Sequence, residues 1–299
     1  MPAKTSSVAR RLVLIIAAAV AMQALPARAA DCDRACLSGL ITQYIDALVA
    51  RDPSGLPLAE TVRFTEDSRV LRLGEGLWTT VSGKGDFRHD YLDVRKQVAA
   101  AHVELFENEM PVLYSVLLHV DEGRIAGVET LVQRITPDSR FQPTELDTPI
   151  RGMDDPVPEG LAQSRESLIA TALTYAEGLR VGNFTDAGTP FAAEAYRVEN
   201  GVITAGEGCF IADCGMYSQR IMVHPSLLAS VAAVDEQAGI VLLWMNFGYT
   251  DSYGPGNALV TYEAFKIWGG RIHAINAFFA TLPIATPRVW PSADPLPRH

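Results

Sequence analysis

Two stretches of the chain gather groups that could move protons. In Phe87-Arg88-His89-Asp90-Tyr91-Leu92-Asp93 a cation, an imidazole and two carboxylates fall within seven residues. His89 would titrate near neutral pH and suits a general base, with Asp90 or Asp93 to orient it. Arg88 suits an oxyanion or enolate. The second stretch holds Tyr217, Arg220 and His224. On a strand, Arg220 and His224 would face one way and Tyr217 the other. Glu263 alternates with Phe265, and Tyr44 lies in a helical pattern; a tyrosine or acid at the base of a pocket can protonate an enolate. Trp78, Tyr91, Trp244 and Glu263 are the candidate ligand contacts, within an aromatic set suited to a small hydrophobic or aromatic molecule. Each cluster has a plain alternative: an exposed charged loop, polar groups satisfied at a sheet edge, or aromatic core.

Other chemistries lack their residues. H-E-x-x-H, G-x-S-x-G, G-x-G-x-x-G and P-loop patterns are absent, and the six histidines are scattered without metal-ligand spacing. No cofactor and no metal are expected. The four cysteines, Cys32, Cys36, Cys209 and Cys214, read as disulfides in any of three pairings rather than as a zinc site.

The elements that position these residues occur twice. Leu56 to Trp78 (LPLAETVRFTEDSRVLRLGEGLW) has a weaker copy in Pro190 to Phe210 (PFAAEAYRVENGVITAGEGCF). Arg63/Glu66 and Arg197/Glu199 recur in both copies and read as turn-stabilising ion pairs, a device of the fold. Each copy follows an amphipathic helix, Leu37 to Val49 and Leu168 to Leu179, with Tyr175 trailing Tyr44 by 131 positions. Val62 to Leu73 predicts two short strands. Lys84 to Ala101 predicts a loop with a short helix. His102–Phe106, Val112–Val120, Arg124–Ile135, Ile240–Phe247, Leu259–Ile267 and Arg271–Leu282 are strand-like. The offset between copies grows from 132 at Gly-Glu-Gly to 147 at Gly270-Arg271-Ile272, which places an insertion of 15 residues in the second copy.

Lys4, Arg10 and Arg11, the apolar run Leu12 to Leu25 and Ala27-Arg28-Ala29 read as an export signal. A mature chain of 270 residues would carry a net charge of −14 instead of −10, having lost four cations and no acid. Such a chain disfavours nucleic acid as a partner, and no later stretch predicts a membrane span. A periplasmic or secreted location is expected, with a monomer or weak homo-oligomer.

The run CDRACLSGLITQYIDALVARDPSGLPLAETVRFTEDSRVLRLGEGLW from Cys32, with VLLWMNFGY and YEAFKIWGGRIHAINAFFATLP further on, resembles an uncharacterised family of exported bacterial and fungal proteins, a domain of unknown function. Its halves look like the SnoaL-like (nuclear-transport-factor-2-like) cone. That resemblance implies helices wrapped by a curved sheet with a pocket at the open end. Relatives of that shape include cyclases, steroid isomerases, dehydratases and lyases, and many that only bind. The expected architecture is α+β: two tandem SnoaL-like cones, each a long helix on a strongly curved antiparallel sheet, forming an internal pseudo-dimer. Its parts are a signal peptide (1–29), a first domain (30–136), a Pro-rich linker (137–162), a second domain (163–283) and a tail (284–299). The expected function is small-molecule binding, extended to cofactor-free lyase, dehydratase or isomerase chemistry; the alternative is a non-catalytic binding or scaffolding protein.

Overall fold

A computed structural model describes residue 1 and residues 31–146, 152–209 and 212–294. Apart from Met1, the predicted export signal lies outside them. Helix α1 (Arg34–Ala50) begins at Asp33, whose carboxylate accepts the Cys36 N–H at 2.9 Å, and ends at Arg51 in the left-handed region. Its stripe of Leu37, Leu40, Ile41, Tyr44, Ile45 and Leu48 is buried, each side chain contributing about 1.5–3 kcal/mol. The first sheet follows: β1 (Leu58–Glu66), β2 (Arg69–Leu71), β3 (Gly83–Asp93), β4 (Val98–Glu107), β5 (Met110–Asp121) and β6 (Arg124–Arg134). Then come helix α2 (Arg165–Val181), capped by Ser164 and Gly182, and β7 (Phe191–Glu199), β8 (Val202–Gly206), β9 (Leu228–Asp235), β10 (Ile240–Asn246), β11 (Asn257–Trp268) and β12 (Arg271–Pro283).

The protein is mixed α and β, with two six-stranded sheets. Their strand orders are the same, β2-β1-β6-β5-β4-β3 and β8-β7-β12-β11-β10-β9. The sheets are not wholly antiparallel as expected, since β1 runs parallel to β6 and β7 parallel to β12. A parallel neighbour needs a long crossover, and here the intervening strands supply it. Lys84–Ala101 also departs from the expected loop and helix: it is most of β3, a turn and the start of β4. Both faces of β3 are packed, Arg88, Asp90 and Leu92 toward α1 and Phe87, His89, Tyr91 and Asp93 toward the other sheet. No apolar–polar alternation therefore marks it in the sequence.

Each helix covers one face of its own sheet. The other faces pack on each other, so that Phe87, Leu113 and Leu117 meet Trp244, Tyr262 and Phe278 in one buried cluster. Equivalent strands meet across it, β3 against β9 and β6 against β12. The contacts are reciprocal, each sheet offering the other the same two strands.

Reciprocal ion pairs fasten that junction. Asp93, at the end of β3, takes Arg165 of α2 through bonds of 2.6 and 2.9 Å and accepts the Val234 N–H at 2.9 Å. Asp235, at the end of β9, takes Arg34 of α1 at 2.6 Å and accepts the Leu92 N–H at 3.0 Å. Each carboxylate also accepts the N–H three residues on, from Lys96 and Ala238, at 3.0 Å. Asp93 is therefore committed to the junction and does not orient His89.

Extended segments finish the packing reciprocally. The chain after β6 crosses the second half, where Met153 is buried between the sheets and Lys266 donates to the Asp155 and Ala238 carbonyls. The chain after β12 returns over the first half. There Trp290 stacks on His119 at 4.3 Å and donates to Thr65 at 2.8 Å, and Arg288 pairs with Glu129 at 2.9 Å. Gly127 makes room, since a Cβ there would lie 2.4 Å from the Trp290 ring. The cysteines pair locally, Cys32–Cys36 and Cys209–Cys214, so neither disulfide ties the halves together. Among the described residues no helix is long and apolar enough to cross a membrane.

Removing one member of a buried pair strands the other charge. Arg165→Met, which leaves the fully buried Asp93 carboxylate without its cation, is expected to lower the unfolding free energy by about 3–5 kcal/mol in urea titrations. Arg95→Met, which breaks an exposed pair with Glu236 at 2.7 Å, is expected to cost no more than about 1 kcal/mol.

Candidate functional site

The interiors of the two halves differ. In the first, Trp78 stands on a 3-10 turn (Gly76–Thr79) and fills the space between α1 and the sheet. Its Nε1 donates to the Tyr44 hydroxyl at 3.2 Å, and that hydroxyl lies 3.1 Å from the Tyr114 hydroxyl. Burial pushes both phenols above their ordinary pKa. Glu66 accepts the Leu77 N–H at 2.8 Å. Gly76, at φ 67°, admits that carboxylate, which would lie 2.5 Å from a Cβ. The Gly-Glu-Gly motif thus seats the turn that carries Trp78.

Strand register aligns the halves one residue away from the motif spacing. Phe64 pairs with Val128 and Arg197 with Ile275, at equivalent rungs. Arg197 therefore occupies the place of Phe64, and Glu199 that of Glu66. By the same reckoning Glu263 replaces Val116. An apolar interior in the first half has become a charged one in the second.

Arg197 is the hub. It donates to Thr204 at 2.9 Å, to the Tyr175 hydroxyl at 2.9 Å and to Gln219 at 3.0 Å, and lies 3.3 Å from the Glu199 carboxylate. Its neighbours hold its charge firmly, the Glu199 carboxylate most of all, against the opposing effect of burial. Glu263 is 1% exposed, and one of its oxygens has no hydrogen-bond partner. Burial, with the Glu199 charge adding to it, pushes its carboxyl up to about 8, so it carries a proton at neutral pH.

This cluster backs onto a cavity of about 440 Å³. Glu199 belongs to both. Phe247, Leu259, Phe279, Met222 and Tyr253 supply apolar and aromatic wall, and Phe141 and Arg140 arrive from the segment after β6. The Tyr253 hydroxyl is raised to about 12 by burial and by Glu199, with Arg140 and Arg197 opposing, so it remains a donor.

The inserted residues build this wall. The reciprocal aspartates, Asp93 and Asp235, are 142 positions apart. About ten of the extra residues therefore fall between β8 and β9 and about five between β10 and β11. The first loop brings Met222 and the second Ser252 and Tyr253.

The sequence-predicted residues divide accordingly. His89 bonds Asp154, which lies between β6 and α2, at 2.9 Å, on the face of β3 opposite Asp90. Arg88 and Asp90 pair with each other at 2.7 Å and bond α1. These side chains border a shallow surface groove with Arg34 and Asp154, and Asp90 does not orient His89. Tyr44 and Trp78 are locked in the first core. Tyr91 and Trp244 are buried between the sheets, Tyr91 bonding His102 at 3.0 Å. The expected strand through Tyr217, Arg220 and His224 is irregular chain. Tyr217 accepts the Phe191 N–H and donates to the Thr189 carbonyl, at 2.9 and 2.8 Å. Arg220 is exposed. His224 is buried, its ring 4.9 Å from that of Phe247, and desolvation lowers its pKa. Glu263 alone among the candidates stands in the charged interior. Arg197 and Glu199 read in the sequence as repeated framework, and Tyr175 as part of a helix pattern. The signal that could have found them is that Arg197 occupies an inward rung where the other copy has Phe64. Among the described residues no cluster of His, Cys, Asp and Glu could hold a metal.

Residues 162–279, which span α2 to most of β12, match a family described as a domain of unknown function (DUF8021). No curated protein matches the chain. A solved steroid delta-isomerase from Pseudomonas aeruginosa is similar at 17% identity over 33% of this chain and 81% of that one, with a TM-score of 0.26, too low to carry an argument.

Folded Glu263 keeps its proton to about pH 8, while an unfolded glutamate loses it near 4.5. Between these values the native state holds the extra proton, so stability falls as pH rises, by up to about 1.4 kcal/mol per pH unit. Glu263→Gln is expected to flatten the slope of unfolding free energy between pH 5 and 8, measured by urea titration.

Proposed function

We propose that this chain is an exported protein of two SnoaL-like cone halves, whose second half binds a small hydrophobic molecule and exchanges a proton with it. The observation that carries this reading is the aromatic-walled cavity ending at Glu199, with the Arg197–Tyr175–Glu263 cluster buried behind it. The cavity lies in the 300–1,000 Å³ range usual for small-molecule sites and combines apolar wall with few polar groups. Two disulfides support a periplasmic or secreted location. The first half, filled by Trp78, serves as scaffold.

In this reading Glu199 takes a proton from a carbon next to a carbonyl. The electron pair moves onto the carbonyl oxygen, where the Tyr253 hydroxyl can donate a hydrogen bond to the enolate. Returning the proton at the same carbon gives exchange, at a conjugated carbon isomerisation, and loss of a leaving group elimination. None of these steps needs a redox partner. Arg197 fixes Glu199 in place. Protonated Glu263 adds no negative charge, so a single carboxylate acts as base.

The test is deuterium uptake. In D2O, 4-phenyl-2-butanone exchanges its α-hydrogens slowly, and NMR follows their loss. The protein is expected to accelerate that loss above buffer, and Glu199→Gln to reduce the acceleration by about 10²–10⁴-fold, the usual worth of a general base. Acceleration that survives intact in Glu199→Gln removes Glu199 from the role. Binding without acceleration leaves a non-catalytic binding protein.

A further inference from the structure

Among the described residues, the charged ones that line the cavity are Glu199 and Arg140. Their situations are unlike. The Glu199 charge is answered by Arg197 at 3.3 Å, and Arg197 in turn is engaged by Thr204, Tyr175 and Gln219. Arg140 has no carboxylate within ion-pair distance among the described residues. Its guanidinium lies over the Phe141 ring at 5.7 Å, and Phe141 meets Phe279 edge-on at 5.2 Å. The charge therefore stands on the aromatic wall of the cavity. It acts inward as well, since the Tyr253 hydroxyl feels both Arg140 and Glu199.

The segment that presents Arg140 is held at both ends. Thr136 and Ser139 close a turn, with the Thr136 N–H on the Ser139 hydroxyl at 2.9 Å, and Gln142 donates back to the Thr136 carbonyl at 2.8 Å. Beyond Phe141, the N–H groups of Thr144 and Glu145 both reach the Gly201 carbonyl at 2.8 Å. With Glu263 protonated, Arg197 and Glu199 cancel and Arg140 is the unbalanced charge of the cavity. A chain of net charge −10 repels anions in general, so an anion would bind only where such a local cation waits.

We propose that the molecule this cavity takes is a hydrophobic monoanion, its carboxylate held by Arg140 at the rim and its apolar body against Phe141, Phe247, Leu259 and Phe279. This rests on the small-molecule reading above and adds the substrate class. An arginine fork meets a carboxylate through paired charge-assisted hydrogen bonds, whereas an alcohol of the same shape forgoes them.

Two matched probes separate the possibilities: 4-phenylbutyrate and 4-phenyl-1-butanol, titrated calorimetrically into the full chain and into Arg140→Gln at pH 7. Arg140 is exposed, so the variant is expected to fold with unchanged melting temperature. Expected is at least tenfold tighter binding of the carboxylate than of the alcohol. That advantage should be lost in Arg140→Gln while alcohol affinity stays the same, and should shrink as salt rises. Equal binding of the two probes, or a carboxylate advantage that survives Arg140→Gln, overturns the proposal and leaves the small-molecule reading standing. Failure of both probes to bind overturns the proposal together with the reading it rests on.

Discussion

A carboxylate shut away from water needs a cation within bonding distance. Asp93 and Asp235 are both fully buried, and each finds its cation on the opposite half of the chain. Arg34 and Arg165 each stand at the first residue of a helix, a position where a positive charge opposes the helix dipole. The local setting does not favour them there; the partner across the junction does. Each aspartate also binds backbone N–H groups of the strand end it faces, so the ion pairs fix the register of β3 against β9. Everything nearer the site inherits that register. The segment after β6 can wall the cavity of the second half only because the sheets are held in this relation.

The pseudo-symmetry makes the departures from it informative. A fold device should appear at equivalent rungs in both halves, as the reciprocal aspartates do. Arg197 and Glu263 do not: their counterparts Phe64 and Val116 are apolar core. Placing an arginine and a carboxyl in a hydrophobic interior costs stability unless nearly every donor is met. Each guanidinium nitrogen of Arg197 has a partner, yet Glu263 retains an unpartnered oxygen and a pKa far from that of an ordinary carboxylate. Such an incompletely satisfied group is where a working site, rather than a framework, is expected. The inserted residues point the same way, because both insertions contribute to the wall of the same cavity.

Much of the architecture was legible from residue patterns. The helices follow from apolar spacing, and most long strands from runs of β-branched and aromatic residues. β3 was not legible, because a strand packed on both faces, carrying Arg88 and Asp90 on one and His89 and Asp93 on the other, shows no period of two. Nor was the parallel pairing of β1 with β6, a property of the crossover and not of any short stretch. The site was missed for a sharper reason. Motif spacing set Arg197 opposite Arg63, which made it a repeated feature. Hydrogen-bond register sets it opposite Phe64, which makes it a substitution. The irregularity in β1 between Leu58 and Arg63 recurs in β7 between Phe191 and Tyr196, so the two strands keep one offset of 133 throughout, and it is the arginine match at 134 that is out of register.

The two repeated glutamates do share a rung, yet their surroundings differ. Glu66 is spent on the Leu77 N–H, held there by a glycine whose missing Cβ admits the carboxylate. In the second half the turn after Gly-Glu-Gly is replaced by a longer loop, and Gly208 has Ile203, not Glu199, as its neighbour. Glu199 thereby loses a backbone partner and gains Arg197 and a cavity. One carboxylate caps a turn and plugs its half with Trp78. The other, at the equivalent rung, is left facing open space with a cation behind it. The two halves thus differ where it matters in two ways: a longer loop in place of a capping turn, and two charged residues at inward rungs that are apolar in the first half.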